Sequence, residues 1–383
     1  MSMSDKISVL IVDDSALMRS LIGRIVEATP GLEIASKAMN GKFALQKLER
    51  TDPDVIILDL EMPEMGGLDF LLELKKLNID IPVIILSSIA TEGARVTIKC
   101  LEAGAVDFIT KPTGTGASNI KTVAKELTER IFAYGGRYKQ KKHAGKASEL
   151  PKDLAQQYRV DTSKIFEATD SLLKPTPVKK PEPVTPIRTL GRIELICIGI
   201  STGGPNALRQ VFSELSCDIK QPILVVQHMP AGFTYEFADS LNKICPLEVK
   251  EAEDGDLLKQ GRILIAPGGK HMVIERRSLA NIVRTTETPP ENGHRPSVDV
   301  LFNSVAETYQ NNALSIIMTG MGRDGAKGCL ELYKQGSRTI GQDEASSVVY
   351  GMPRVAFELG GVMEQVSLEN MATAINKYAL SDN

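Results

Sequence analysis

No apolar run in this chain is as long as a membrane span, and its first residues lack the charged-then-apolar pattern of a secretory leader. The expectation is a cytoplasmic protein with no direct membrane insertion. Neither sign of charge dominates: 45 Lys and Arg face 48 Asp and Glu, a net of -3. Such a balance gives no support to a nucleic-acid or membrane-surface partner. Cysteine is sparse. The five residues, Cys100, Cys197, Cys217, Cys245 and Cys329, are odd in number, scattered and never spaced Cys-x-x-Cys, and they read as reduced core thiols. Histidine is scarcer still, at four residues, so candidates for a general base are few. What remains is globular, 42% hydrophobic and 24% charged over 383 residues. That length exceeds one ordinary core, and two domains are the default.

One stretch stands out, Gly199-Ile200-Ser201-Thr202-Gly203-Gly204-Pro205. It follows an apolar run, Ile193 to Ile198, that reads as a buried parallel strand. It precedes a helical pattern carried by Leu208, Val211, Phe212 and Leu215, with Pro205 at a helix-start position. Ser201 therefore sits on a Gly-flanked turn at the carboxyl end of a strand, where α/β folds place their sites. The unpaired N–H groups of the following helix suit a developing negative charge, so the turn fits a nucleophile. A phosphate- or dinucleotide-binding turn is the competing reading. Ser201 stands where G-x-G-x-x-G needs its second Gly, and no Gly-Lys-Ser/Thr follows.

Residues 1 to 130 alternate strand and helix patterns in five βα units, the mark of a doubly wound parallel sheet. Polar residues gather at the strand ends: Asp13, Asp14, Asp59, Ser87 and Lys111. Clustered carboxylates repel one another, which favours a divalent cation, and Mg²⁺ suits an all-oxygen site. Lys111 can hold a phosphoryl oxygen as a point charge. Asp13-Asp14, Leu58-Asp59-Leu60-Glu61-Met62-Pro63, Ser87 and Lys111-Pro112 together resemble a response-regulator receiver domain. The resemblance implies a flavodoxin-like fold, phosphorylation of Asp59 by a histidine kinase, and Mg²⁺ held by Asp13 or Asp14 with Asp59. It also implies that Ser87 is the switch hydroxyl, with Ser88 its neighbour, and Lys111 its partner in the switch.

Apolar periodicity fades over 131 to 190, which reads as a linker: basic from Arg137 to Lys146, with a short helix expected over Leu150 to Phe166, then Pro-rich from Leu173 to Arg188. Residues 191 to 383 form a second α/β domain, doubly wound and mostly parallel, with a small antiparallel insert. Pro222 to Val226 is a strand ending at His228, and Ala313 to Met318 is a strand running into a Gly-rich turn with Asp324. Ser, His and Asp at three strand ends are what acyl transfer requires. For the base, His271 and His294 compete with His228; for the acid, Asp299 and Asp343 compete with Asp324. Backbone N–H groups from Thr319 to Gly322, above all near Met321, are candidate oxyanion donors.

The motifs of this half resemble the catalytic domain of chemotaxis protein-glutamate methylesterases. They are the Ser201 turn, Val226-Gln227-His228-Met229-Pro230, Ala266-Pro267-Gly268-Gly269-Lys270-His271, His294-Arg295-Pro296-Ser297-Val298-Asp299 and Met318-Thr319-Gly320-Met321-Gly322-Arg323-Asp324-Gly325. The resemblance implies Ser201, His228 and Asp324 as the catalytic residues. It implies Thr202 and Met321 at the oxyanion and substrate positions, and no cofactor at this site. The partners implied are methyl-accepting chemoreceptors as substrate and a chemotaxis histidine kinase as phosphodonor, with glutamine deamidation as a second activity. An unphosphorylated receiver is expected to cover the cleft. Two other classes are disfavoured. A transcription factor needs a short basic recognition helix, which the second half lacks, and a dinucleotide oxidoreductase needs the fingerprint that Ser201 interrupts.

Overall fold

The structure, a computed structural model, describes residues 6–88, 91–111, 117–144 and 184–381. The chain divides into two compact units, residues 1–176 and 177–383.

The first unit is a five-stranded parallel sheet of order β2-β1-β3-β4-β5, with β1 at Ile7–Val12, β2 at Leu32–Ala38, β3 at Val55–Asp59, β4 at Val83–Ser87 and β5 at Asp107–Thr110. β3 and β4 are buried along their whole length. Strands covered on both faces lose the polar alternation of a half-exposed strand, which is why they read as continuous apolar runs. Helices α1 (Ala16–Ala28), α2 (Gly41–Leu48), α3 (Gly67–Lys76), α4 (Thr91–Ala103) and α5 (Ala117–Arg130) complete the units. Ser15 and Asn40 cap α1 and α2 by accepting hydrogen bonds from the Met18 and Phe43 N–H groups. The order reverses between β1 and β3, so the polypeptide leaves a crevice at their carboxyl ends.

The helical chain does not stop near residue 130. A wider turn at Ile131–Gly135 leads into α6, Gly136–Ala144. Tyr134 donates its hydroxyl to the Val106 carbonyl, Tyr138 bonds Asp80 at 3.2 Å, and Lys139 pairs with Asp54 at 3.8 Å. At Gly135 a Cβ would come within 2.7 Å of Ile7, so close packing demands glycine there. The linker expected from 131 is thus corrected: residues 131–142 belong to the first unit. Its other end is corrected too, since Ile187 donates to the Lys334 carbonyl in the second unit. The helix expected over Leu150 to Phe166 lies outside the described residues.

The second unit holds a seven-stranded sheet, all of its pairs parallel, of order β14-β13-β12-β6-β7-β9-β8. Its strands are β6 (Leu195–Ile200), β7 (Ile223–Gln227), β8 (Glu248–Glu251), β9 (Arg262–Ile265), β12 (Ala313–Ile317), β13 (Arg338–Gln342) and β14 (Glu364–Val366). An antiparallel pair, β10 (His271–Arg276) and β11 (Asn281–Thr286), forms the small insert. Helices α7 (Gly204–Ser213), α8 (Phe233–Asn242), α9 (Val298–Tyr309), α10 (Ala326–Gln335), α11 (Met352–Glu358) and α12 (Leu368–Leu380) cover the sheet. β6 lies at the centre, two residues later than its apolar run suggests, and every one of its residues is buried. The edge strands β8 and β14 are missing from the sequence reading because they are short and charged, as exposed edges tend to be.

Candidate active site

Ser201 follows β6, His228 follows the neighbouring β7, and Asp324 lies in the turn after β12, the neighbour on the other side. Parallel strands deliver all three to one carboxyl edge, at the point where the strand order reverses. The Ser201 turn is fixed from two sides. Its N–H donates to the Thr319 carbonyl at 3.0 Å, and its own carbonyl accepts from the Gln227 side-chain amide at 3.1 Å. The same amide reaches the His228 carbonyl at 3.1 Å. Gln227 therefore ties the backbones of two site residues together. Gly203 takes a left-handed φ of +81° and starts α7, while a Cβ on Gly204 would lie 1.8 Å from Gln227 Oε1. Both glycines are required by this crowded turn.

The three side chains form one hydrogen-bonded chain. His228 Nδ1 is 3.1 Å from Ser201 Oγ, and His228 Nε2 is 2.8 Å from Asp324 Oδ2. Asp324 is ionised, so Nε2 carries a proton and donates it, which leaves the Nδ1 lone pair facing the serine hydroxyl. Asp324 is 1% exposed and sits across the start of α9. It accepts from the Val298 N–H at 2.7 Å, the Asp299 N–H at 3.2 Å, the Ser297 hydroxyl at 2.7 Å and the Asn292 amide at 2.9 Å. Burial alone would raise its pKa. The hydrogen bond and charge of His228, with the donors at the helix start, overcome this and hold its carboxyl well below the usual range.

The competing candidates fall elsewhere. His271 is fully buried and satisfied, its Nδ1 accepting from the Ser297 N–H and its Nε2 facing the Pro289 carbonyl. His294 does not reach Ser201 by any hydrogen bond described; it stacks on His228, with ring centroids 3.8 Å apart. Asp299 accepts from the Gly328 N–H and the Asn292 amide, holding α10 and α9 together one step behind Asp324. Burial raises its pKa. Asp343 caps its own turn through Ser346. Thr202 is buried, and its carbonyl accepts from the Thr319 hydroxyl. Gly320 packs against Ser201, bringing the Met321 peptide beside the nucleophile position; among the described residues neither Thr202 nor Met321 spends its N–H on a backbone partner. Sequence reasoning missed Asn292 and gave Gln227 no role. The Asn292-Gly293 dipeptide, a strong signal for a tight turn with two positive φ angles, was the available clue.

In the first unit, Asp13, Asp14 and Asp59 each offer an oxygen within 4.8 Å of the others. Lys111 Nζ lies 2.8 Å from Asp59 and 3.5 Å from Asp13. Burial, with the Asp59 charge beside it, raises the Asp13 pKa despite Lys111. Burial works against the Lys111 charge, but Asp59 and Asp13 raise its pKa overall. Asp13 Oδ2 is buried and, among the described residues, has no hydrogen-bond partner beyond the Lys111 ammonium 3.5 Å away, which leaves it an oxygen that a hard cation would satisfy. The donor set fits Mg²⁺. The Ser87 hydroxyl accepts a 2.6 Å hydrogen bond from Thr97 of α4 and donates to the Ser88 carbonyl at 3.1 Å. Pro112 lies outside the described residues.

A doubly wound domain with a hydrogen-bonded Asp-His-Ser chain at its sheet edge, joined to a unit with the acidic crevice of a phosphoacceptor, defines a response regulator with a hydrolase-like output domain. The chain belongs to the CheB methylesterase family. The model of that family, described as CheB methylesterase, matches residues 196–375, and that of the response regulator receiver domain matches residues 9–122. A protein-glutamate methylesterase/protein-glutamine glutaminase of Treponema denticola is 64% identical over 98% of both chains. Its counterpart in Treponema pallidum is 54% identical over 99% of this chain and 98% of its own. Among solved structures, the Thermotoga maritima CheB methylesterase catalytic domain is 34% identical, with a TM-score of 0.48, covering 49% of this chain and 99% of that one.

Proposed function

We propose that this chain hydrolyses glutamate 5-methyl esters, and deamidates glutamines, on methyl-accepting chemoreceptors, under control of phosphorylation at Asp59. The observation that carries the reading is the unbroken hydrogen-bonded chain from Asp324 through His228 to Ser201. As Ser201 Oγ attacks the ester carbonyl, His228 Nδ1 takes the hydroxyl proton. Asp324 steadies the imidazolium that forms. The tetrahedral oxyanion takes hydrogen bonds from the Met321 and Thr202 N–H groups; one such donor is typically worth about 3 kcal/mol. On collapse the acyl–oxygen bond to methoxide breaks, His228 returns the proton, and methanol leaves. Water, deprotonated by His228, then cleaves the acyl-serine to glutamate and free Ser201. With an amide substrate the leaving group is ammonia.

In the first unit, Asp59 receives the phosphoryl group from a histidine kinase. Asp13, Asp14 and Asp59 would hold Mg²⁺, which when bound offsets the charge these carboxylates share with the phosphoryl oxygens. Lys111 binds one of those oxygens, and Ser87 leaves Thr97 to reach another. The unphosphorylated receiver restrains the catalytic domain. No helix among the described residues is long and apolar enough to cross a membrane.

Methanol release from methylated receptors tests the reading. Ser201→Ala should lower turnover by about 10⁶-fold, near the loss measured for removal of a catalytic serine elsewhere. Undiminished turnover in a folded Ser201→Ala protein would exclude the nucleophile assignment.

A further inference from the structure

The turn Glu291-Asn292-Gly293-His294 belongs to no helix or strand, yet both of its outward side chains meet the catalytic chain. Glu291 and His294 exchange backbone hydrogen bonds of 3.1 and 2.9 Å, and the two residues between them take φ angles of +54° and +82°. That geometry is a tight two-residue turn, which leaves its four residues little freedom relative to one another. From its first corner, the Asn292 amide donates to Asp324 Oδ1 at 2.9 Å and to Asp299 Oδ2 at 2.8 Å. From its end, the His294 ring lies against His228 with an interplanar angle of 10°.

We infer that this turn is a positioning element of the active site, in which Asn292 fixes the Asp324 carboxylate and the His294 ring fixes the plane of His228. The physical need is specific. His228 is tethered to the backbone through Cγ and is held in its ring plane by two hydrogen bonds, Nδ1 to Ser201 and Nε2 to Asp324. Bonds made in the ring plane constrain a tilt out of that plane less firmly than packing against the ring face does. The parallel His294 ring at 3.8 Å blocks that tilt on one face by contact. Asn292 meets a second need. Asp324 and Asp299 are neighbouring buried carboxylates, and burial together with the Asp324 charge disfavours the charge of Asp299. An amide N–H₂ between them donates to both and keeps Asp324 turned toward His228. Asn292 acts through Asp324, and His294 acts through His228.

The inference rests on the Ser201 reading, and its test separates the two. Full-length His294→Ala, His294→Phe and Asn292→Gly are compared with wild type and Ser201→Ala for methanol release from methylated receptors. Glycine at 292 permits the positive φ and removes only the amide. The expected result is a fall in kcat for His294→Ala, up to about 10²-fold, with KM within twofold and the melting temperature kept. His294→Phe, which keeps a flat ring and no ionisable nitrogen, should recover most of that loss. Asn292→Gly should lower kcat likewise. If His294→Ala destabilises the domain, His294→Gln gives the same ring-free comparison. Wild-type kcat in His294→Ala, or no recovery in a folded His294→Phe, overturns the inference while an inactive Ser201→Ala leaves the proposed function standing. Full activity in Ser201→Ala removes that function instead.

Discussion

His228 turns Nδ1 toward Ser201 Oγ, at 3.1 Å, and presents Nε2 to Asp324. In the chymotrypsin arrangement the roles of the two nitrogens are reversed. The ring's geometry permits either, because what matters is one lone pair toward the hydroxyl and one N–H toward the acid. Asp324 selects the tautomer by accepting at Nε2. Replacing it with Asn should keep the shape and lose the selection, and kcat should fall by about 10⁴-fold. Steady-state assay of a folded Asp324→Asn enzyme checks this, and activity within tenfold of wild type would contradict it.

The same carboxylate makes a pH prediction. Its folded pKa is depressed below the unfolded value of about 3.9, so ionisation favours the folded state above that pH. This contribution is complete at neutral pH and is lost as pH falls through the folded value. The stability difference between wild type and Asp324→Asn should therefore stay constant from pH 7 to about 5 and narrow below about 4. Urea unfolding at stepped pH measures it; a gap that widens on acidification would reverse the assignment.

Gly204 tests the crowding behind the nucleophile. An added methyl would lie 1.8 Å from Gln227 Oε1, in a buried site. Gly204→Ala should cost about 1–3 kcal/mol by overpacking. It should also lower kcat, because the displaced Gln227 amide holds the carbonyls of Ser201 and His228. Denaturation and assay of one preparation give both numbers.

The acidic crevice predicts a metal response. Mg²⁺ at a hundred times its dissociation constant should stabilise the receiver by about 2.7 kcal/mol. Calorimetry of the full chain with and without Mg²⁺ reads the shift, and Asp13→Asn and Asp59→Asn should abolish it. Equal shifts in wild type and both variants would place the ion elsewhere.

Phosphorylation control gives two linked outcomes. Removing the residues before 184, which keeps the Ile187 bond to Lys334, should raise basal methanol release if the receiver restrains the catalytic domain; a fall would mean that it acts by positive contact. Ser87→Ala should still be phosphorylated at Asp59 by a small phosphodonor but respond less in activity, since the proposed switch moves the hydroxyl now bonded to Thr97.

Much of this protein is legible in local pattern. Continuous apolar runs at Val55–Asp59, Val83–Ser87 and Leu195–Ile200 announce strands covered on both faces, because such strands have no solvent side to mark with polar residues. Ser297 announces a helix start, and the glycines around Ser201 announce a tight turn, because capping and positive φ are local demands. The sequence thereby determined the alternating α/β order and the strand-end position of each candidate residue. The choice among His228, His271 and His294, and among Asp324, Asp299 and Asp343, belonged to tertiary structure. His228 is 27 positions from Ser201 and 96 from Asp324, and no periodicity extends across such separations. Strand order set those contacts by placing β12, β6 and β7 side by side, and it was equally the packed fold that brought Asn292 and His294 behind them.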